Sequence, residues 1–289
     1  MRLPARIQRH CSSSGLGITG LGITGLVITG LSLITIGTTK AAEQRNWLSA
    51  PVSTQKPAQE TTPARSAACP APATPDPLLG PRTKMPGRWI GRTKAAANLS
   101  IVVMAGHADS QGTGSSGTPG YAVDKRRLAP MQAGIRDELF WNRQVQAAVV
   151  RLGTSRGLTI RSYTPPSITI LDDDNPGTNW SRAKAWSARG EYILEIHFDA
   201  YRPHGFGSGL IPAINRPLNS VDESLGQAFG RFPRNFRGGL GGPRRGIGIL
   251  EIAMLEPPLE DKLRDQATRS QTVNCLAERV VDALVNGVS

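Results

Sequence analysis

Tyr192-Ile193-Leu194-Glu195-Ile196-His197-Phe198-Asp199 is the stretch on which the reading of this 289-residue chain turns. It is short, almost wholly apolar, and delivers a histidine as it ends, which is the composition of a buried strand in a parallel sheet. In open α/β sheets ligands bind beyond the carboxyl ends of the strands, so His197 stands where a metal ligand or a catalytic base is expected. Two other runs share this character. Leu99-Ser100-Ile101-Val102-Val103-Met104-Ala105-Gly106-His107 again closes on a histidine, and Gly248-Ile249-Leu250-Glu251-Ile252-Ala253-Met254-Leu255 carries a glutamate in its middle. Leu158 to Tyr163 alternates like a further strand.

Helical periodicity fills the intervals. From Asp137 onward Trp141, Val145, Ala148, Val149 and Leu152 fall on one face, with Gly153 and Gly157 flanking the end. Glu138 shares that inward stripe, and a carboxylate on a buried stripe needs a partner. Further helices are expected over Thr178 to Arg189, with Trp180, Ala183 and Trp186, and around Val221 to Phe229. The last is expected over Leu259 to Val285, with Val273, Leu276, Ala277, Val280, Val281 and Leu284 inward and Cys275 off the stripe. Strands alternating with helices predict an α/β three-layer sandwich, a mostly parallel central sheet flanked by helices.

This domain is expected over residues 97–289. Its charge is nearly balanced, 22 Lys+Arg against 19 Asp+Glu, whereas residues 1–96 hold 12 against 3. The compact part lacks the clustered arginines with interleaved aromatics of a nucleic-acid groove, so no nucleic-acid partner is expected. The basic arm instead suits an anionic membrane or wall polymer. Residues 1–42 open with Arg2, Arg6 and Arg9, continue through a charge-free run from Ser12 to Thr39 built on near-repeats of Leu-Gly-Ile-Thr-Gly, and reach small residues near Ala42. That is the plan of a secretory signal, with an uncleaved membrane anchor as the alternative. Residues 43–96 turn to Pro, Ala, Thr and Ser and lose all periodicity, which predicts a disordered, extended linker. Of three cysteines, Cys11 lies in the leader; Cys69 and Cys275 could pair after export, but two cysteines make no disulfide framework.

The residues that carry chemistry are few. His107 and His197 end strands, Glu138 opens a helix on its buried side, and Glu251 is embedded in a strand. Two histidines and a carboxylate with one further acid are what a catalytic zinc hydrolase requires: three protein ligands leave a position for water, whose pKa zinc lowers to about 7, and the remaining carboxylate moves the proton. Each residue taken singly also has a plain structural reading, since a strand-end histidine can be a satisfied polar group and a buried glutamate can pair with an arginine. Glu195, two residues before His197, faces the same side of the strand and reads either as support for that histidine or as a competitor for the base role. His204 reads as a loop residue. Asp172-Asp173-Asp174 lacks the spacing of a calcium loop and reads as a turn. Gly238 to Gly246 lacks the setting of a phosphate loop and reads as an arginine-bearing loop beside a cleft. The Gly/Arg loop 234–246 or the long loop 108–136, by glycine content and charge, is the expected gate of the cleft.

Met104-Ala105-Gly106-His107, Glu138 on a helix, Arg182-Ala183 upstream of Leu194-Glu195-Ile196-His197-Phe198, and Ile249-Leu250-Glu251-Ile252-Ala253-Met254-Leu255 together resemble the zinc-dependent N-acetylmuramoyl-L-alanine amidases of the type 3 family, over about residues 98–287. The resemblance implies zinc on His107, Glu138 and His197, Glu251 as catalytic base, an exported protein of a bacterial periplasm or envelope, and cleavage of the amide between N-acetylmuramic acid and the L-alanine of the peptidoglycan stem peptide. The chain departs from the family pattern at Ala108-Asp109 after the first histidine, at Asp199, and at Glu195, where the family has a small residue. A zinc carboxypeptidase would use similar ligands but in a His-x-x-Glu pattern, against a separation of 31 residues here. A wall-binding module that keeps the fold without catalysis is the alternative from another class.

Overall fold

The apolar runs lie side by side because each is buried on both faces and needs a neighbour for every backbone N–H and C=O. The computed structural model describes residues 68–289. Five strands, β1 (Ile101–Ala105), β2 (Ile160–Tyr163), β3 (Tyr192–Asp199), β4 (Gly209–Ile211) and β5 (Ile247–Met254), form one sheet in the order β2-β1-β3-β5-β4. β2, β1, β3 and β5 are mutually parallel, and β4 is an antiparallel edge strand against β5. Between them come α1 (Tyr121–Asp124), α2 (Asp137–Ser155), α3 (Asn179–Ser187), α4 (Ser220–Phe229) and α5 (Gly241–Arg244), and after β5 follow α6 (Leu259–Arg264) and α7 (Gln266–Val288).

Alternation along the strands divides the core in two. Ile101, Val103, Leu194, Ile196, Leu250 and Ile252 point to one face, where they meet Trp141, Val145 and Val149 of α2, Val221, Leu225 and Phe229 of α4, and Leu276, Val280 and Leu284 of α7. Val102, Met104, Ile193, Ile247 and Ile249 point to the other, against Ala183, Trp180 and Trp186 of α3 and the Phe232 and Phe236 rings. These are the three layers that the sequence predicts. After β1 the chain crosses by α2 to β2, then returns by α3 on the opposite face to β3 on the far side of β1. That reversal makes the β1/β3 junction a topological switch point, whose crevice opens at the carboxyl ends of the two strands.

The structure departs from the sequence expectations in four places. The linker expected through residue 96 gives way to ordered packing from 68: Leu78, Leu79 and Ala95 join the first core, Asp76 pairs with Arg279 at 2.9 Å, and Trp89 Nε1 donates to the Phe232 carbonyl at 2.6 Å. Proline removed the periodicity of this strap but not its ability to bury side chains. Cys69 and Cys275 form a disulfide, and Cys275 is buried rather than off the packed stripe. The last helix divides at Asp265, whose extended backbone ends α6 and whose side chain caps α7 by accepting from Ala267 N. β4 falls in a stretch to which the sequence reading assigns no strand, because three residues are too few to show a period. The leader expected over 1–42 and the linker over 43–67 lie outside the described residues. Among the described residues no helix is long and apolar enough to cross a membrane.

Candidate metal centre

His107 follows β1 by two residues and stands in the left-handed region, φ 62°. Few non-glycine residues adopt this conformation, and it turns the imidazole back over the sheet end. Gly106 makes room for the second histidine: its N–H donates to the Ile196 carbonyl at 2.9 Å, and a Cβ there would lie 2.2 Å from the His197 ring. The glycine- and serine-rich loop that follows is tied to itself. The Gln111 amide donates to the His107 and Ser116 carbonyls, the Ser116 hydroxyl lies against the Ser110 and Thr113 carbonyls, and His107 Nδ1 is 2.7 Å from the Ser115 carbonyl.

Glu138 is the second residue of α2, where the helix dipole favours a carboxylate. It is buried, and its Oε2 accepts from Thr118 N at 2.7 Å. Its Oε1 is 3.1 Å from both His107 Nε2 and His197 Nδ1. The two rings meet edge to face with centroids 4.7 Å apart. Gly117, at φ 85°, closes the floor: a Cβ there would come within 2.6 Å of Glu138 Oε2 and 2.7 Å of His107 Cδ2. One ligand atom from each of His107, Glu138 and His197 falls within 4.8 Å of the others.

A carbonyl oxygen only accepts, so His107 Nδ1 carries the proton and Nε2 presents a lone pair. Glu195 Oε2 lies 3.0 Å from His197 Nε2. Glu138 Oε1 lies 3.1 Å from the other nitrogen, Nδ1, so the distances fit either neutral tautomer; with the proton on Nε2, facing Glu195, Nδ1 presents a lone pair to Glu138. In that tautomer both lone pairs face Glu138 Oε1, and three acceptors converge with no proton among them unless a ring becomes an imidazolium. A divalent cation satisfies all three, and two imidazoles with a carboxylate form a donor set suited to zinc. Without a cation, burial works against charge on His197, but Glu138 and Glu195 more than reverse this and raise its pKa well above the ordinary value. Burial likewise pushes Glu138 up, and the charges and hydrogen bonds of His107 and His197 outweigh it, holding the carboxyl well below the carboxylate range.

Glu251 sits beside His197 on the neighbouring strand, the two being register partners in the parallel β3/β5 pair. Its Oε2 is buried without a hydrogen-bond partner. Burial, reinforced by the nearby charges of Asp199 and Glu138 and partly countered by His197 and Arg237, pushes its pKa up to about 8. Glu195 differs: Oε2 is engaged by His197 and Oε1 accepts from Asn179 Nδ2 at 2.8 Å.

All five residues line one cavity of 490 Å³, whose further walls include Asp109, Trp180, Arg237, Leu240, Gly241 and Ile249. The segment read as an arginine loop contributes α5 and the 3-10 turn Phe236–Gly238 to that wall, with Arg245 stacked on Trp180 at 4.4 Å. His204 is exposed and does not line it; Asp173 stands at its edge. Sequence reasoning missed Asn179 and Asp109, which join β1, β3 and α3: Asn179 Nδ2 also donates to the Ala105 carbonyl, and Asn179 N donates to Asp109 Oδ2 at 2.6 Å. The available signal was the position of Asn179 directly after Thr178, whose hydroxyl caps α3.

No protein-family model matches the sequence, and no curated protein matches it. Solved N-acetylmuramoyl-L-alanine amidases are similar in structure. The amidase from Clostridium difficile 630 is 15% identical, with 65% of this chain and 96% of that one covered and a TM-score of 0.43. Ami1 from Mycobacterium abscessus is 18% identical, with 64% and 98% covered and a TM-score of 0.40. AmiC2 of Nostoc punctiforme is 14% identical, with 66% and 97% covered and a TM-score of 0.39.

Proposed function

We propose that this chain is a zinc-dependent peptidoglycan hydrolase that cleaves the amide between N-acetylmuramic acid and the L-alanine of the stem peptide. The observation that carries the metal-hydrolase reading is the convergence of three potential ligand atoms, from His107, His197 and Glu138, beside the unpartnered oxygen of Glu251. The choice of bond comes from the sequence resemblance to type 3 amidases. His107, Glu138 and His197 would hold the ion, which when bound would polarise the amide carbonyl and lower the pKa of a water to about 7. Glu251 accepts the proton of the attacking water at its free Oε2 and returns it to the departing nitrogen, the two halves of general base and general acid work. Burial suits it to both, because a carboxyl that holds its proton more tightly than an exposed one is a better base when ionised and yields the proton where a leaving amine needs it. Trp180, Leu240 and Ile249 line the apolar side of the cavity and keep bulk water from the reacting amide.

The Cys69–Cys275 disulfide supports export, since such bonds persist in oxidising compartments. In this reading residues 1–42 direct the chain to the envelope, as a cleaved signal or as a membrane anchor. The test is mass spectrometry of muropeptides after digestion of purified walls, with zinc content measured on the same protein. The wild type is expected to bind one zinc per chain and to release free stem peptides. Glu251→Gln is expected to keep the zinc and lose roughly 10²- to 10⁴-fold in rate, the range ascribed to a positioned acid–base group. Release of no stem peptides by a zinc-loaded wild type sinks the amidase reading and favours a wall-binding module, while loss of zinc in Glu251→Gln shows that base and ligand were exchanged.

A further inference from the structure

Glu195 is the buried acid of the cavity that the proposed chemistry does not use. Several buried carboxylates of this fold are neutralised by arginine: Asp222 by Arg216 at 2.7 Å, Asp76 by Arg279 at 2.9 Å, and Asp137 by Arg264. Among the described residues Glu195 has no lysine or arginine partner. Its hydrogen bonds come from the His197 ring and the Asn179 amide, at 3.0 and 2.8 Å. A carboxylate held out of water at 4% exposure is costly unless its environment is arranged for it, and here the arrangement is aimed at a single imidazole.

We propose that Glu195 is a positioning residue for the metal centre. It accepts from Nε2–H of His197, fixes which ring nitrogen bears the proton, and so holds the Nδ1 lone pair toward Glu138 Oε1. Asn179 is the second element of the device, bridging Glu195 Oε1 to the Ala105 carbonyl at the end of β1 and thereby coupling the ring to the strand that delivers His107. The base role falls elsewhere, because both oxygens of Glu195 are engaged whereas Oε2 of Glu251 is not. Carboxylates hydrogen-bonded to a metal-bound imidazole raise its basicity and set its orientation, and their loss costs roughly 10- to 100-fold in metal affinity.

This inference rests on the metal-hydrolase reading, and the experiment separates the two. The full chain and its variants are titrated with zinc against a competing chelator, and the visible absorption of the Co²⁺-loaded forms is recorded alongside. Glu195→Ala is expected to weaken zinc about 10- to 100-fold and to shift the Co²⁺ spectrum. Glu195→Gln, which keeps the volume and one acceptor oxygen, is expected to fall between it and the wild type, as is Asn179→Ala. If Glu195→Ala does not fold, as circular dichroism of the metal-free chain would reveal, the isosteric Glu195→Gln and Asn179→Ala carry the decision. Folded variants that bind zinc as tightly as the wild type, with an unchanged Co²⁺ spectrum, overturn the positioning role alone. A wild type that takes up no zinc overturns both the role and the reading beneath it.

Discussion

The two faces of the sheet solve different problems with the same alternating strands. On the face covered by α2, α4 and α7 nearly every inward position is aliphatic or aromatic, and its buried acid, Asp222, is saturated: Tyr192 Oη and Arg216 donate to Oδ1 at 2.9 Å each, and Arg216 and Asn219 N donate to Oδ2 at 2.7 and 2.8 Å. On the face covered by the shorter α3 and α5 the apolar packing stops at Ile249 and Met104. Beyond it Glu195, His197 and Glu251 point into a cavity, and one carboxylate oxygen is left without a partner. Saturation marks a group that holds the fold together. Incomplete saturation beside a cluster of lone pairs marks a group kept ready for something that arrives.

If that division holds, damage to the first face should cost stability and leave the second face's chemistry alone. Leu276 of α7 is fully buried on the first face. Leu276→Ala is expected to lower unfolding free energy by about 3 kcal/mol, within the range for leucine truncation in a core. Chemical denaturation should report it, and the folded fraction should retain zinc affinity. A variant that loses both together would show that the two layers are one cooperative unit and that the contrast is only descriptive.

The converse substitution belongs at Gly117. An added methyl would press on Glu138 Oε2 and the His107 ring, and the positive φ disfavours any side chain. Gly117→Ala is expected to cost about 1 kcal/mol of stability from its backbone alone, less than the α7 truncation. Zinc affinity should nonetheless fall at least tenfold, because the ligand atoms are displaced directly. Equal zinc affinity with reduced stability would place Gly117 with the scaffold rather than with the centre.

Much of this contrast could be read from the sequence, for reasons particular to certain residues. A histidine closing a short apolar run reads as one delivered toward a strand end, which made His107 and His197 legible, and a period of 3.6 put Glu138 on the buried stripe of α2. A period of two showed that Glu195 and His197 share a face. It could not show which nitrogen of which ring each acid meets, because that depends on register and on α3 closing over the sheet. Asn179 was legible only as the residue after the Thr178 cap of α3; nothing local shows that its side chain bridges two strands. The strap from residue 68 escaped because Leu78-Leu79 amid prolines gives no periodicity, and its anchors, Cys275 and Arg279, lie about 200 positions away in the chain.

An orphan oxygen is not by itself a mark of chemistry, and Glu260 shows where the contrast needs sharpening. It is buried outside the metal centre, its Oε2 accepts from Ala122 N at 2.9 Å, its Oε1 has no partner, and burial, with smaller contributions from Asp137 and Asp261, pushes its pKa up to about 7. A folded-state pKa above the unfolded value of 4.5 means that the native chain binds the proton more tightly. Its contribution to stability is therefore fully present below pH 4.5 and declines as pH rises toward about 7. Glu260→Gln keeps an acceptor for Ala122 N and removes the ionisation, so the variant's Tm should gain on the wild type across that window, by about 3 °C if roughly 1 kcal/mol is relieved. Activity should not follow, because Glu260 does not line the cavity and no lone-pair cluster adjoins it. A pH-independent Tm difference would mean that Glu260 is already neutral or already paired, whereas a change in wall hydrolysis would extend the functional face beyond the β1/β3 crevice.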